Sequence, residues 1–413
     1  MAADDAGDRE TSLRIAILNW SNRRFGGTGT YLSTLMPALR TAGHDIALWH
    51  EVDRPSDHGA LPVPAAAPVW SVSTLGLQRA LAALRAWRPD LLYAHGLLDP
   101  AVEARALEVA PAVLFAHDYY GTCISGSKTL TRPVVTPCSR RFGWQCFAQY
   151  YPRRCGGLSP VTMVRRYRFQ RDRFELLSRY AAIVTGSGHM QREYLAHGVS
   201  LDRVINVGLG SDLGCSPQIA VGRGNRDDTH RLLFAGRMDP LKGGRQLLQA
   251  LPMVAARLTG SLHLTFAGDG PQRAEWEALA SAIARDEPRI QVEFQGWIDR
   301  DALSRLYEQS DLLVVPSTWP EPFGLVGLEA VRHGLPAVAF DVGGISEWLK
   351  PGVNGVLAPG NPPTVQGLAD AIVDGLQAPS RTVDGEQVEQ LSAHFSVDAH
   401  LRRLLRVFEH VVR

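Results

Sequence analysis

Two glutamates, Glu321 and Glu329, flank seven residues within Pro316-Ser-Thr-Trp-Pro-Glu-Pro-Phe-Gly-Leu-Val-Gly-Leu-Glu-Ala330. An apolar run ends just before them at Val315. Pro320 and Pro322 hold Glu321 in an extended, non-helical turn. Gly324 then opens a helix that Gly334 closes. The N-terminus of that helix offers the N–H groups of Phe323, Gly324 and Leu325 and a positive dipole end, which suits phosphate. Carboxylates do not bind phosphate. They accept hydrogen bonds from hydroxyls, such as those of a sugar on one side of the anion and a ribose on the other. Taken alone, the stretch reads equally as a Pro-rich turn with one surface glutamate and one helical glutamate.

Other groups could join this chemistry. Gly26-Gly-Thr-Gly-Thr-Tyr31 follows an apolar run and opens a helix, so backbone there can approach a phosphate closely. His117 ends Leu114-Phe-Ala-His, and His95 ends Leu92-Tyr-Ala-His. Either could line a cleft, and either could be a satisfied structural histidine. Cys123, Cys138, Cys146 and Cys155 cluster after His117 without a C-x-x-C pair. Four thiolates suit a tetrahedral structural zinc; free thiols and disulfides are the alternatives. An arginine run from Arg153 to Arg173 is opposed only by Asp172. It reads as a solvated helix face or as a contact with an anionic membrane or acceptor, with Val161, Val164, Tyr167 and Phe174 as a greasy side.

Parallel sheets would have to position these groups. Short β-branched runs alternate with helical patterns, restarting near residue 230, which implies two α/β domains with helices on both sheet faces. Residues 1–12 read as a disordered tail and 13–210 as a first domain with a Cys-rich insertion at about 119–160. Residues 211–390 form a second domain, and 391–413 a final amphipathic helix. Doubly wound domains bind ligands outside the carboxyl ends of their strands, so two such domains would share a cleft. The 413 residues carry 43 Lys+Arg against 42 Asp+Glu, a balance that argues against a general nucleic-acid binder. Only Lys128, Lys242 and Lys350 are lysines, which singles each out. No apolar run is long enough to span a membrane, and the polar N-terminus does not read as a signal peptide, so the expected compartment is the cytoplasm.

The glutamate block resembles the E-x7-E signature of the retaining, GT-B-fold glycosyltransferases of family 4. Further pieces follow in the family's order: Phe234-Ala-Gly-Arg-Met-Asp-Pro-Leu-Lys-Gly243, Phe266-Ala-Gly-Asp-Gly-Pro271, Phe294-Gln-Gly-Trp297, Gly334-Leu-Pro-Ala337, Val342-Gly-Gly344 and Gly352-Val-Asn-Gly355. The resemblance covers the whole second half and is looser in the first. It implies the GT-B fold, two Rossmann-like doubly wound domains facing a cleft. It implies that Arg237 and Lys242 grip the donor diphosphate, that Gly296 and Trp297 belong to the nucleotide-base loop, and that His117 faces the donor sugar. The final helix would pack back on the first domain. The interdomain Asn-Gly-Val-Asp turn is altered here: Gly210 stands at the expected Asp, with Asp212 two residues on.

The expectation is a retaining glycosyltransferase that moves a sugar from a UDP- or GDP-linked donor to an unidentified acceptor hydroxyl. His117, Glu321, Arg237 and Lys242 would be catalytic. Gly26, Gly27, Arg237, Lys242, Gly296, Trp297, Glu321, Pro322, Phe323, Gly324, Leu325 and Glu329 would bind the donor. No cofactor is expected for transfer, a structural zinc is a candidate, and a nucleic-acid partner is not expected. The protein would be cytoplasmic or peripheral at the inner membrane face. The competing readings are a sugar-nucleotide epimerase of the same fold and a non-catalytic sugar-nucleotide-binding protein.

Overall fold

The computed structural model describes residues 12–24, 26–53, 59–210, 228–377 and 385–413. The N-terminal tail and Asp212 lie outside them. The strands are β1 (Arg14–Ser21), β2 (Asp45–Val52), β3 (Val69–Ser71), β4 (Leu91–Ala94), β5 (Ala112–Ala116), β6 (Thr129–Leu130), β7 (Thr136–Pro137), β8 (Ala182–Thr185), β9 (Val204–Asn206), β10 (Thr229–Ala235), β11 (Ser261–Ala267), β12 (Ile290–Gly296), β13 (Leu312–Val315), β14 (Ala337–Phe340) and β15 (Gly355–Ala358). The central strands are apolar throughout rather than alternating, and β4, β5, β8, β13 and β14 are buried at every residue. That pattern belongs to parallel strands covered on both faces.

The first sheet runs β3-β2-β1-β4-β5-β8-β9 and the second β12-β11-β10-β13-β14-β15, every pairing parallel. Both are doubly wound, and the chain has the GT-B fold. Strand order reverses between β1 and β4 in one sheet and between β10 and β13 in the other. Such reversals splay the adjoining loops apart and leave a crevice.

The helix Val397–Val412 returns to the first domain. Its His400 Nε2 lies 2.9 Å from Tyr31 Oη, and Phe408 packs edge-on against Tyr93 at 4.9 Å. His400 Nδ1 is 2.7 Å from the Gly208 carbonyl, and Arg403 Nε donates to the Val207 carbonyl at 2.6 Å. The last helix thus clamps the end of the first domain where the chain leaves it.

The Cys-rich insertion is built on a buried lysine. Lys128 Nζ pairs with Glu193 Oε1 at 2.6 Å and donates to the Arg140 carbonyl at 2.5 Å. Its backbone N–H donates to Cys123 Sγ, and its carbonyl accepts from the Cys138 N–H. All four cysteines of the cluster are free. Burial, with the neighbouring thiols, raises the pKa of Cys138 and Cys146 and pushes Cys155 up to about 12. Among the described residues no group of three or more His, Cys, Asp or Glu side chains is placed to hold a metal ion. The arginine helix also departs from expectation. In the helix Pro160–Leu176, Tyr167 and Phe174 turn inward onto Phe142 and Phe147, and only Val161 and Val164 of the expected greasy side are exposed.

Candidate active site

β10 and β13 pair side by side, so the loops beyond them open next to each other. The loop after β10 carries Arg237 and ends in the turn Pro240–Lys242, capped by Asp239. Gly243 follows at φ 74°, and a Cβ there would stand 1.7 Å from the Pro316 carbonyl oxygen. Glycine therefore allows both the left-handed backbone and the close approach of the two loops. Lys242 Nζ lies 2.5 Å from Glu321 Oε1, and that same oxygen accepts from Ser317 Oγ at 2.5 Å. Glu321 is 5% exposed. Its backbone is fixed from the far side: the Gly344 N–H donates to the Glu321 carbonyl at 2.7 Å. Gly343, at φ 66°, lies so close that a Cβ would be 2.2 Å from that carbonyl oxygen.

Gly324, in the left-handed region at φ 94°, caps the helix Leu325–Arg332. The first N–H groups of a helix lack intrahelical partners, so this end remains an anion-seeking surface. Phe323 is buried and its carbonyl accepts from Trp348 Nε1 at 2.9 Å. Its side chain packs, leaving only its backbone for a ligand. Glu329 Oε2 accepts from Tyr307 Oη at 2.9 Å. Burial raises the Glu329 carboxyl above its ordinary pKa, with the Tyr307 hydrogen bond opposing. Arg237 is exposed at this mouth, with no ion-pair partner among the described residues. Gly296 ends the edge strand β12, two strands from β10, and Trp297 follows it, 56% exposed.

The first domain faces this assembly. Gly26 and Gly27 start the helix Gly26–Thr41, and a Cβ on Gly27 would lie 3.8 Å from Leu325 Cδ1. Beside them is a cavity of about 390 Å³ lined by His95, His117, Asp118, Tyr120, Thr28 and Arg173, among others. His95 Nδ1 and His117 Nε2 are 2.8 Å apart, one donating and the other accepting. Burial, with His400 nearby, lowers His117 to about 3, and burial with His117 lowers His95 well below its ordinary value. Both imidazoles are therefore neutral near pH 7. They can donate or accept hydrogen bonds without adding a cation.

Three contributors escape the sequence reading. Tyr119 Oη donates to the Pro320 carbonyl at 2.7 Å, and Ser187 Oγ donates to the Pro322 carbonyl at 2.5 Å. The first domain thus grips the peptides on both sides of Glu321. Arg173 leaves its neighbours in the arginine run and folds inward over Tyr120 and Phe169, donating to the Leu97 carbonyl at 2.6 Å. Ser187 had a signal: Ser-Gly-His-Met is an N-cap, and its hydroxyl accepts from the Met190 N–H. Tyr119 and Arg173 had none beyond their neighbours.

Residues 25–213 match the model of the family described as Glycosyltransferase Family 4, and residues 229–378 match that described as Glycosyl transferases group 1. The chain belongs to the family 4, group 1 glycosyltransferases. An uncharacterized glycosyltransferase of Methanocaldococcus jannaschii is 36% identical over 151 residues, 36% of this chain and 37% of that protein. The glycogen synthase of Mycobacterium tuberculosis is 28% identical over 403 residues, 89% of this chain and 87% of that one. Among solved structures, HepE from Anabaena in complex with UDP and glucose has a TM-score of 0.66 at 20% identity, covering 96% of this chain and 99% of that one. The fold carries that last likeness. The glycosyltransferase has no helix among its described residues long and apolar enough to cross a membrane.

Proposed function

We propose that this glycosyltransferase transfers a hexosyl group from a UDP- or GDP-linked donor to an acceptor hydroxyl, with retention at the anomeric carbon. The observation that carries the reading is the Lys242–Glu321 contact at 2.5 Å. It joins two loops far apart in sequence at one point before the helix Leu325–Arg332. Lys242, Arg237 and the free N–H groups of that helix form a cationic mouth for a diphosphate, whose charge grows as the glycosidic bond breaks. Glu321 offers its second oxygen to sugar hydroxyls. Glu329, further along the helix, suits the ribose. Trp297 gives a nucleobase an exposed aromatic face. The HepE structure, solved with UDP and glucose, is consistent with such a donor.

His117 and the cavity around it face the sugar from the acceptor side. A neutral imidazole orients a hydroxyl without competing with Lys242 for the phosphate. This route uses no glycosidase-type pair of carboxylates. The departing phosphate oxygen then takes the acceptor proton on the same face, and the protein acts by positioning and by stabilising the leaving group. The grips on the Pro320 and Pro322 carbonyls hold the domains together over the site, which excludes water.

Glu329→Ala tests the reading through donor KM. Loss of the ribose contact should raise KM for the nucleotide sugar with a smaller effect on kcat, while unchanged kinetics would remove Glu329 from the site. Mass spectrometry of the products separates transfer from epimerisation or binding: a heavier, glycosylated acceptor supports transfer, and an isomerised or untouched nucleotide sugar opposes it.

A further inference from the structure

Residues 119–171 contain nine arginines and one lysine and no aspartate or glutamate. The whole chain is +1, so one contiguous stretch holds a strong positive excess and the remainder a matching negative one. This stretch is the Cys-rich insertion together with the first two-thirds of the helix Pro160–Leu176. Lys128, its one buried cation, is already neutralised by Glu193. Arg132, Arg140, Arg141, Arg165, Arg168 and Arg171 are exposed.

Helical spacing sorts this helix into two sides. Met163, Tyr167, Gln170 and Phe174 face the protein. Tyr167 stacks within 4.4 Å of Phe147, and Gln170 Oε1 accepts from the Gly121 N–H at 2.9 Å. Val161, Val164, Arg165 and Arg168 fall on the opposite side, and all four are exposed. The insertion and this helix expose large apolar groups: Trp144 at 72% in the insertion, Leu158 at 60% just before the helix and Val161 at 76% in its first turn. Trp144 falls between Phe142 and Phe147 in sequence, and both of those rings pack on Tyr167 of this helix.

We propose that this face docks the glycosyltransferase on a bilayer containing anionic lipid. Arginines pair with lipid phosphates, and the exposed tryptophan, leucine and valines enter the headgroup boundary between them. A nucleic acid would use the cations but gives Leu158, Val161 and Val164 no apolar place to go. The far end of the same helix carries Arg173, which lines the cavity beside His117. The docking face and the cavity beside His117 thus share one helix. The inference stands whether or not the transfer reading does, since it rests on a surface outside the donor mouth.

Co-sedimentation with vesicles tests it. The protein should pellet with phosphatidylcholine vesicles containing phosphatidylglycerol and stay in solution with phosphatidylcholine alone, and added salt should release it. The double variant Arg165→Gln/Arg168→Gln should lower binding roughly tenfold or more. Trp144→Ser/Val161→Ser should lower it without changing the salt dependence. Thermal melting verifies that both variants fold. Equal pelleting on neutral and anionic vesicles, no pelleting, or unaltered binding by the variants would overturn the proposal. So would complete release by tRNA at constant salt, which would mark the face as a nucleic-acid surface.

Discussion

Lys242 and Glu321 share one short contact, and each alone would be a liability. Glu321 is nearly buried, so removing Lys242 leaves a carboxylate held by Ser317 but without its cation. Lys242→Gln should lower kcat by roughly a hundredfold to a thousandfold, because it deletes a charge aimed at the leaving diphosphate. Lys242→Arg should recover little, since a planar fork does not replace a compact ammonium 2.5 Å from one carboxylate oxygen. Steady-state kinetics with a saturating donor check both. Gly243→Ala is a sharper structural probe. Its Cβ would overlap the Pro316 carbonyl, so the two loops must part. The expected result is a variant that folds less stably and loses donor binding, seen together in thermal melts with and without nucleoside diphosphate.

At the scale of elements, the grips on the Pro-Glu-Pro loop are the new feature. Tyr119→Phe and Ser187→Ala each remove one hydrogen bond across the cleft, worth about 1 kcal/mol and so roughly fivefold in kcat/KM. The double variant should lose more if the two bonds close the domains as a unit. Another element-level prediction concerns the insertion. Lys128→Met leaves Glu193 with an uncompensated charge in a buried setting, which typically costs about 3–5 kcal/mol. Urea unfolding should show a lower midpoint. Much of this layer was legible in the sequence. Strands β4, β5, β8, β13 and β14 are the most legible, because strands buried on both faces are unbroken hydrophobic stretches. The edge strands β3 and β15 are less legible, since they carry half-exposed, mixed residues. Within the site, Glu321, Glu329 and Lys242 were visible through motif spacing. Tyr119, Ser187 and Arg173 were not, because their partners lie 201, 135 and 76 residues away and no local pattern encodes such contacts. Lys128 stands out in the sequence as one of three lysines, but nothing near it announces Glu193 as its partner.

Across the whole molecule, the two domains are joined by the last helix as well as by the cleft. His400 reaches from that helix to Tyr31 and to the Gly208 carbonyl, beneath the His95–His117 pair. Burial holds His117 at about 3 and His400 at about 4, below the ordinary 6.5. An unfolded chain would protonate these imidazoles below pH 6.5 while the folded protein keeps them neutral. Their contribution is thus fully present above pH 6.5 and falls as pH drops from there toward about 4. Thermal melts across that window should show declining stability, less steep in His400→Gln than in the parent. Activity should show no limb near pH 6.5 arising from His117, since that group does not titrate there. The proposed chemistry is transfer with retention from a nucleotide sugar held by Lys242 and Glu321. Time-resolved proton NMR of the sugar released from α-linked UDP- and GDP-hexoses tests it most directly. The α-anomer should appear first, in the parent protein and not in Lys242→Gln; a β-anomer appearing first, or turnover undiminished in that variant, would contradict the account.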